Sequence, residues 1–196
     1  MRARRDEQVA EGVFEVAAAE ALAAYDKVIG LDFSDVAADG PLHKSPAGGE
    51  GTGKNPTDRG RLGRKWPVLT EKNGIPFGVA TDGANRNYSA MLAPTLDDAK
   101  GKGLLQEIET IWLDRGYGSD ATAQRLVERE TVDALIAKKR KQGTTGGTKN
   151  NQPMGLRWPV ERSGSWLSNF AQLRRGTDRK SGHRLVQLAL AVVFLL

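Results

Sequence analysis

Apolar positions along this chain change period several times, and each change marks an element. Between residues 6 and 27, Val9, Val13, Val16 and Ala17 recur at helical spacing in a stretch rich in Ala and Glu, with Gly12 as its weak point. One or two short helices are expected there. Asp35 to Asp39 reads as a short strand. Lys65 to Thr81 reads as two strands joined near Asn73-Gly74, a dipeptide suited to tight hairpin turns. A helix is expected over Tyr88 to Lys100, with Pro94 either in its first turn or breaking it.

Farther on, Glu109 to Leu113 forms a strand that stops at Asp114, and Ser119 is placed to cap a helix with Ala123, Leu126 and Val127 on one face. Thr131 to Ala137 has strand composition. Lys138 to Pro153 is polar, with Lys-Lys-Arg-Lys and three glycines and no apolar period, and reads as a mobile loop. Two helices close the chain. The first runs from about Trp158 to Arg174 with Trp166, Phe170 and Leu173 on one stripe, and the second from about Gly182 to the end. Trp112, Trp158 and Trp166 are expected in the core. The order strand, strand, strand, helix, strand, helix, strand defines an α/β fold with a mixed sheet flanked by helices.

Composition narrows the chemistry. The 196 residues suffice for one domain with a core and a short appendage. There is no cysteine, which excludes disulfides, thiol nucleophiles and cysteine-ligated zinc and fits a cytoplasmic protein. Only His43 and His183 are present, which rules out a histidine-rich metal centre and leaves carboxylates as the plausible ligands, whose oxygens favour magnesium or manganese. The chain carries 29 Lys plus Arg against 24 Asp plus Glu, a formal charge of +5, clustered at Arg2 to Arg5, Arg59 to Lys65, Lys138 to Lys141 and Arg174 to Lys180. Such clusters suit a polyanion. The apolar end, Leu185 to Leu196, is 12 residues long against the roughly 20 that span a bilayer, so no membrane segment is expected.

Three acids stand where a fold would expose them. Asp39 and Asp114 each end an apolar strand, and in an open sheet such strand ends border the functional crevice. Glu161 lies in the first turns of a helix that tolerates Pro159 near its start. Two strand-end acids can converge on a cation, and Arg157, one helical turn before Glu161, could clamp a phosphate from the same face.

The motifs resemble the DDE transposases of the insertion-sequence four and five superfamily from about Asp32 to Ala191. They are Asp-Gly at 39–40, Gly-Gly-Glu-Gly-Thr-Gly-Lys-Asn-Pro-Thr-Asp-Arg-Gly at 48–60, Gly-Ala-Asn-Arg-Asn at 83–87, Leu-Ala-Pro-Thr-Leu-Asp at 92–97, Asp-Arg-Gly-Tyr at 114–117 and Arg-Trp-Pro-Val-Glu-Arg at 157–162, whose Arg-x-x-x-Glu spacing is the family's signature. The resemblance implies an RNase H-like fold and a catalytic triad of Asp39, Asp114 and Glu161 holding Mg2+ or Mn2+. It also implies DNA strand cleavage and strand transfer, with double-stranded DNA as partner and a homodimer in action at the nucleoid. DNA contacts are expected from Arg157, Lys54, Arg59, Lys65, Lys139 and Arg140. Residues 1–30 would be a residual helical segment and 31–196 the catalytic domain. Only 38 residues precede Asp39, and relatives continue past Leu196, so truncation at both ends is expected. The alternative is an inactive DNA-binding remnant.

One rival rests on Gly48 to Asn55, which nearly matches the phosphate-binding pattern G-x-x-x-x-G-K-[ST]. Asn55 replaces the hydroxyl, no apolar strand precedes it, and Pro56, Gly60 and Gly63 follow where a helix should begin. A glycine-rich basic loop touching DNA backbone is the better expectation.

Overall fold

The computed structural model describes residues 2–113, 117, 133–136 and 158–196. In chain order the elements are α1 (Arg2–Ala10), α2 (Val13–Val28), β1 (Asp35–Asp39), β2 (Leu42–Lys44), β3 (Gly53–Lys54), β4 (Leu62–Lys65), β5 (Val68–Thr70), β6 (Pro76–Val79), β7 (Asp82–Gly83), α3 (Tyr88–Gly101), β8 (Thr110–Leu113), β9 (Asp133–Ile136), α4 (Trp158–Asn169), α5 (Ala171–Arg175) and α6 (Ser181–Leu195). The helix expected from Ser119 and the loop expected over 138–153 lie outside the described residues.

Five strands form the central sheet in the order β6-β5-β1-β8-β9. The β1–β5 and β5–β6 pairs are antiparallel, whereas β1–β8 and β8–β9 are parallel. This is the RNase H-like mixed sheet. Its middle strand, Val36 to Ala38, is buried throughout, as a strand covered on both faces must be. The main core gathers Val36, Ala38, Leu69, Phe77, Leu92, Leu96, Ile111 and Leu113, with Leu22 of α2 reaching into it. A second cluster joins Trp66, Val68, Leu167, Leu173 and Leu188 beneath α4 to α6.

The hairpin expected within 65–81 is β5–β6, with its turn at Glu71 to Gly74. Buried Glu71 organises that turn by accepting from the backbone N–H of Asn73 at 2.8 Å and of Ile75 at 3.0 Å, the Asn73 amide at 3.1 Å and the Asp32 N–H at 3.2 Å. The expected basic loop is instead partly folded: β2, β3 and β4, between β1 and β5, make a second small sheet that β7 joins from beyond β6. Its strands are two to four residues long and rich in glycine and charge, so no alternating pattern announces them.

Three further expectations are corrected. Pro94 lies inside α3 without ending it. The carbonyl four residues before it belongs to exposed Ala90, beside an open groove of about 360 Å³, so water can take the bond that proline cannot make. The helix expected from Trp158 to Arg174 breaks at Phe170, whose backbone is extended (φ −73, ψ 122). The preceding turn is rich in serine, and Ser168 and Asn169 turn their side chains back onto the Gly164 and Ser165 carbonyls. Finally, Trp158 and Trp166 are 55% and 37% exposed, and the fully buried tryptophan is Trp66. The second stacks on Phe170 at 5.5 Å at the protein surface.

Candidate active site

The candidate site is built at the carboxyl end of β1. The parallel register pairs Ala38 with Leu113, the last residues of β1 and β8 before their acids. Asp39 follows Ala38, still paired across the sheet with Val68. It is half-buried, and its carboxylate accepts from the Gly40 N–H at 2.7 Å. Asp114 follows Leu113 in the sequence and lies outside the described residues, as do Arg157, Lys139 and Arg140.

Glu161 occupies the first turn of α4, an exposed position that suits an acid at a helix amino terminus. The opposite face of α4, with Pro159, Val160, Ser163, Gly164 and Leu167, is buried. Arg162 donates to the Asn73 carbonyl and lies 5.2 Å over the Trp158 ring, while Ser163 donates to the Gly74 carbonyl. These bonds seat α4 on the β5–β6 turn. Arg162 thus anchors the helix through a carbonyl. Gly164 faces Pro41, two residues beyond Asp39, where a β-carbon would stand 3.8 Å from its ring. The second turn of α4 therefore runs beside Pro41, just past the end of β1, while its first turn rests on the β5–β6 turn. Among the described residues, no three histidines or acids form a metal-holding group.

The expected DNA contacts divide into two kinds. Lys54 and Arg59 are exposed on the small sheet and its following turn. Arg59 holds φ 51, a left-handed conformation uncommon outside glycine. Lys65 departs from the surface position expected for it: it is only 7% exposed. Its ammonium donates to the Arg86 carbonyl at 2.7 Å and sits 4.0 Å over the Tyr88 ring, and burial lowers its pKa.

Sequence reasoning missed Tyr88 as part of this neighbourhood. It is the first residue of α3, after Asn87, whose side chain accepts from the Ser89 N–H. Its hydroxyl donates to the Gly40 carbonyl at 2.7 Å, and its ring lies 5.4 Å from that of buried Tyr117. The only sequence trace of this contact is the glycine itself. A β-carbon at Gly40 would stand 2.4 Å from the Tyr88 ring.

The glycine-rich segment does not form a phosphate-binding loop. Its end is strand β3, and a turn follows where a helix should start. Its carbonyls at Gly48 and Glu50 are held by buried Arg184 of α6, while Glu50 accepts from the Ser181 N–H and hydroxyl.

The family described as Transposase DDE domain matches residues 26–196. The chain belongs to this family. It is also 36% identical over 135 residues to the putative transposase for insertion sequence element IS402 of Burkholderia cepacia, a match covering 66% of this chain and 61% of that protein. The alignment thus spans less than two thirds of the relative's length. Among the described residues no helix is long and apolar enough to cross a membrane.

Proposed function

We propose that the chain is the catalytic part of an insertion-sequence transposase that cleaves DNA strands and transfers them, with Asp39, Asp114 and Glu161 as its carboxylate triad. The observation that carries this reading is the Ala38–Leu113 register with α4 alongside. It supports the adjoining carboxyl ends of β1 and β8 as the place where Asp39 and Asp114 meet, with Glu161 one turn of α4 before the contact of Gly164 with Pro41. Residues 31–196 would form the catalytic unit and 1–30 a helical segment.

The donor chemistry fits magnesium or manganese. Asp39 and Glu161 keep solvent access and offer hard oxygen ligands. Both histidines are otherwise engaged: His43 packs 4.0 Å from Trp66, and His183 contacts Arg5 and, at 2.7 Å, Asp6. When bound, divalent ions supply the Lewis acidity that phosphoryl transfer requires. The chain's own contribution is to hold three carboxylates in register and to clamp DNA. Lys54 and Arg59 would grip backbone phosphates from the small sheet, with Arg157, Lys139 and Arg140 joining from the other segments. Cleaving paired DNA ends would engage two copies of the chain.

The test is nicking of a supercoiled plasmid carrying the inverted repeats that flank the gene. Magnesium-dependent nicking should be lost in Asp39→Asn, Asp114→Ala and Glu161→Gln while DNA binding persists. Wild-type protein that binds these ends but never nicks them with either metal would favour the inactive remnant. Nicking that survives the Asp114 substitution would overturn the triad.

A further inference from the structure

Tyr88 stands between the two strand ends that lead to the candidate acids. On one side its hydroxyl holds the Gly40 carbonyl, in the residue immediately after Asp39. On the other side its ring meets Tyr117, three residues beyond Asp114. Above the ring, at 4.0 Å, sits the buried ammonium of Lys65. No carboxylate lies within salt-bridge distance of Lys65 among the described residues. Among the described residues its stabilising contacts are the Arg86 carbonyl and the aromatic face. Burying a cation is costly unless its surroundings repay the lost hydration. Its site against Tyr88 is therefore a specific arrangement and not a solvated side chain at rest.

Three consequences follow from this stack. The Asn87 cap fixes where Tyr88 leaves the backbone. The absence of a β-carbon at Gly40 lets the ring press onto the peptide itself. The cation over the ring draws electron density from the phenol, which makes its hydroxyl a stronger donor to the Gly40 carbonyl. The peptide that carries Asp39 into the site is thereby pinned from a helix that is not part of the sheet, and the same ring abuts the segment that follows Asp114.

We propose that Tyr88, with Lys65 on its face and Tyr117 at its edge, is a positioning residue that sets the Asp39 carboxylate against the segment bearing Asp114, so that the pair can take up a divalent cation. This rests on the metal-binding triad proposed above. Tyr88 touches neither the ion nor DNA in this role.

The test is Mn2+ titration of the DNA-free protein, followed by electron paramagnetic resonance, on wild type, Tyr88→Phe, Lys65→Met, Lys65→Arg and Asp39→Asn. Tyr88→Phe keeps the ring over Gly40 and removes only the hydroxyl. It should weaken Mn2+ binding about tenfold, as loss of an outer-shell support does, with the thermal midpoint and DNA-end affinity near wild type. Lys65→Met should weaken binding in the same direction, and Lys65→Arg should restore most of it. Wild-type Mn2+ affinity in Tyr88→Phe would overturn the inference, as would a loss that only tracks loss of folded protein. If Asp39→Asn also bound Mn2+ like wild type, the triad itself would fail. If Asp39→Asn alone lost the ion, the triad would stand and the role of Tyr88 would fall.

Discussion

The Tyr88 hydroxyl and the Gly40 carbonyl are joined by a 2.7 Å hydrogen bond, and the Tyr88 ring fills the space that any side chain at position 40 would need. The Asp-Gly pair at 39–40 thus has a mechanical reason for its glycine. Gly40→Ala should displace the ring or the peptide, costing about 1–3 kcal/mol of stability by overpacking. Nicking should fall about tenfold to a hundredfold through misplacement of Asp39. Urea unfolding and plasmid nicking measured on the same preparation check both.

Glu71 is buried at 1% exposure and gathers four hydrogen bonds at the β5–β6 turn, on which α4 also rests. Glu71→Ala strands those donors and should cost about 3 kcal/mol. Because α4 carries Glu161, the variant should also show faster amide exchange in the first turn of α4. Unchanged exchange there would mean that the turn does not support the helix.

His43 provides a pH test. Burial first, and then the nearby Arg64 charge, push its pKa down from 6.5 to about 4. The unfolded chain therefore binds this proton more readily than the folded one between those values. Stability is full above pH 6.5 and declines as pH falls toward 4. Between pH 7 and pH 5 the loss from this group should be about 2 kcal/mol. His43→Phe, which retains an aromatic ring against Trp66, should flatten that part of the profile. A slope unchanged by the substitution would assign the pH dependence elsewhere.

Arg184 ties the glycine-rich segment to α6 by donating to the carbonyls of Gly48, Glu50 and Asp178. Lysine cannot reproduce this fork of donors. Arg184→Lys should raise hydrogen exchange at the Glu50 amide about tenfold, the effect of losing one or two such bonds. Lys54 and Arg59 would then be presented from a looser support, and DNA affinity should fall without loss of the main core.

The strands of the central sheet were legible where an apolar run ended at a polar residue. Val36 to Ala38 and Ile111 to Leu113 are such runs, and they pair as expected for neighbouring parallel strands. Asp39 and Asp114 stood out for the same reason. The small sheet was not legible, because residues such as Gly53, Lys54, Gly63 and Arg64 carry neither alternation nor β-branching and are held mainly by tertiary contacts. The tryptophans misled: hydrophobicity alone ranks Trp66 and Trp158 alike, yet only Trp66 lies beneath α4 to α6. The contact of Tyr88 with Gly40 was not legible because it joins residues distant in sequence, and no local pattern records that the residue facing the ring must lack a side chain.

Three strands of the small sheet, β2 to β4, leave the central sheet after Asp39 and return before Val68, residues that pair directly across the β1–β5 ladder, and β7 joins them from beyond β6. Their entry and exit are stitched together by the sheet they interrupt. Such a seam lets the excursion lengthen, shorten or acquire new charges while the ladder keeps its register. Under the proposed function, a changed excursion would alter the grip on DNA and leave the strand end that carries Asp39 in place.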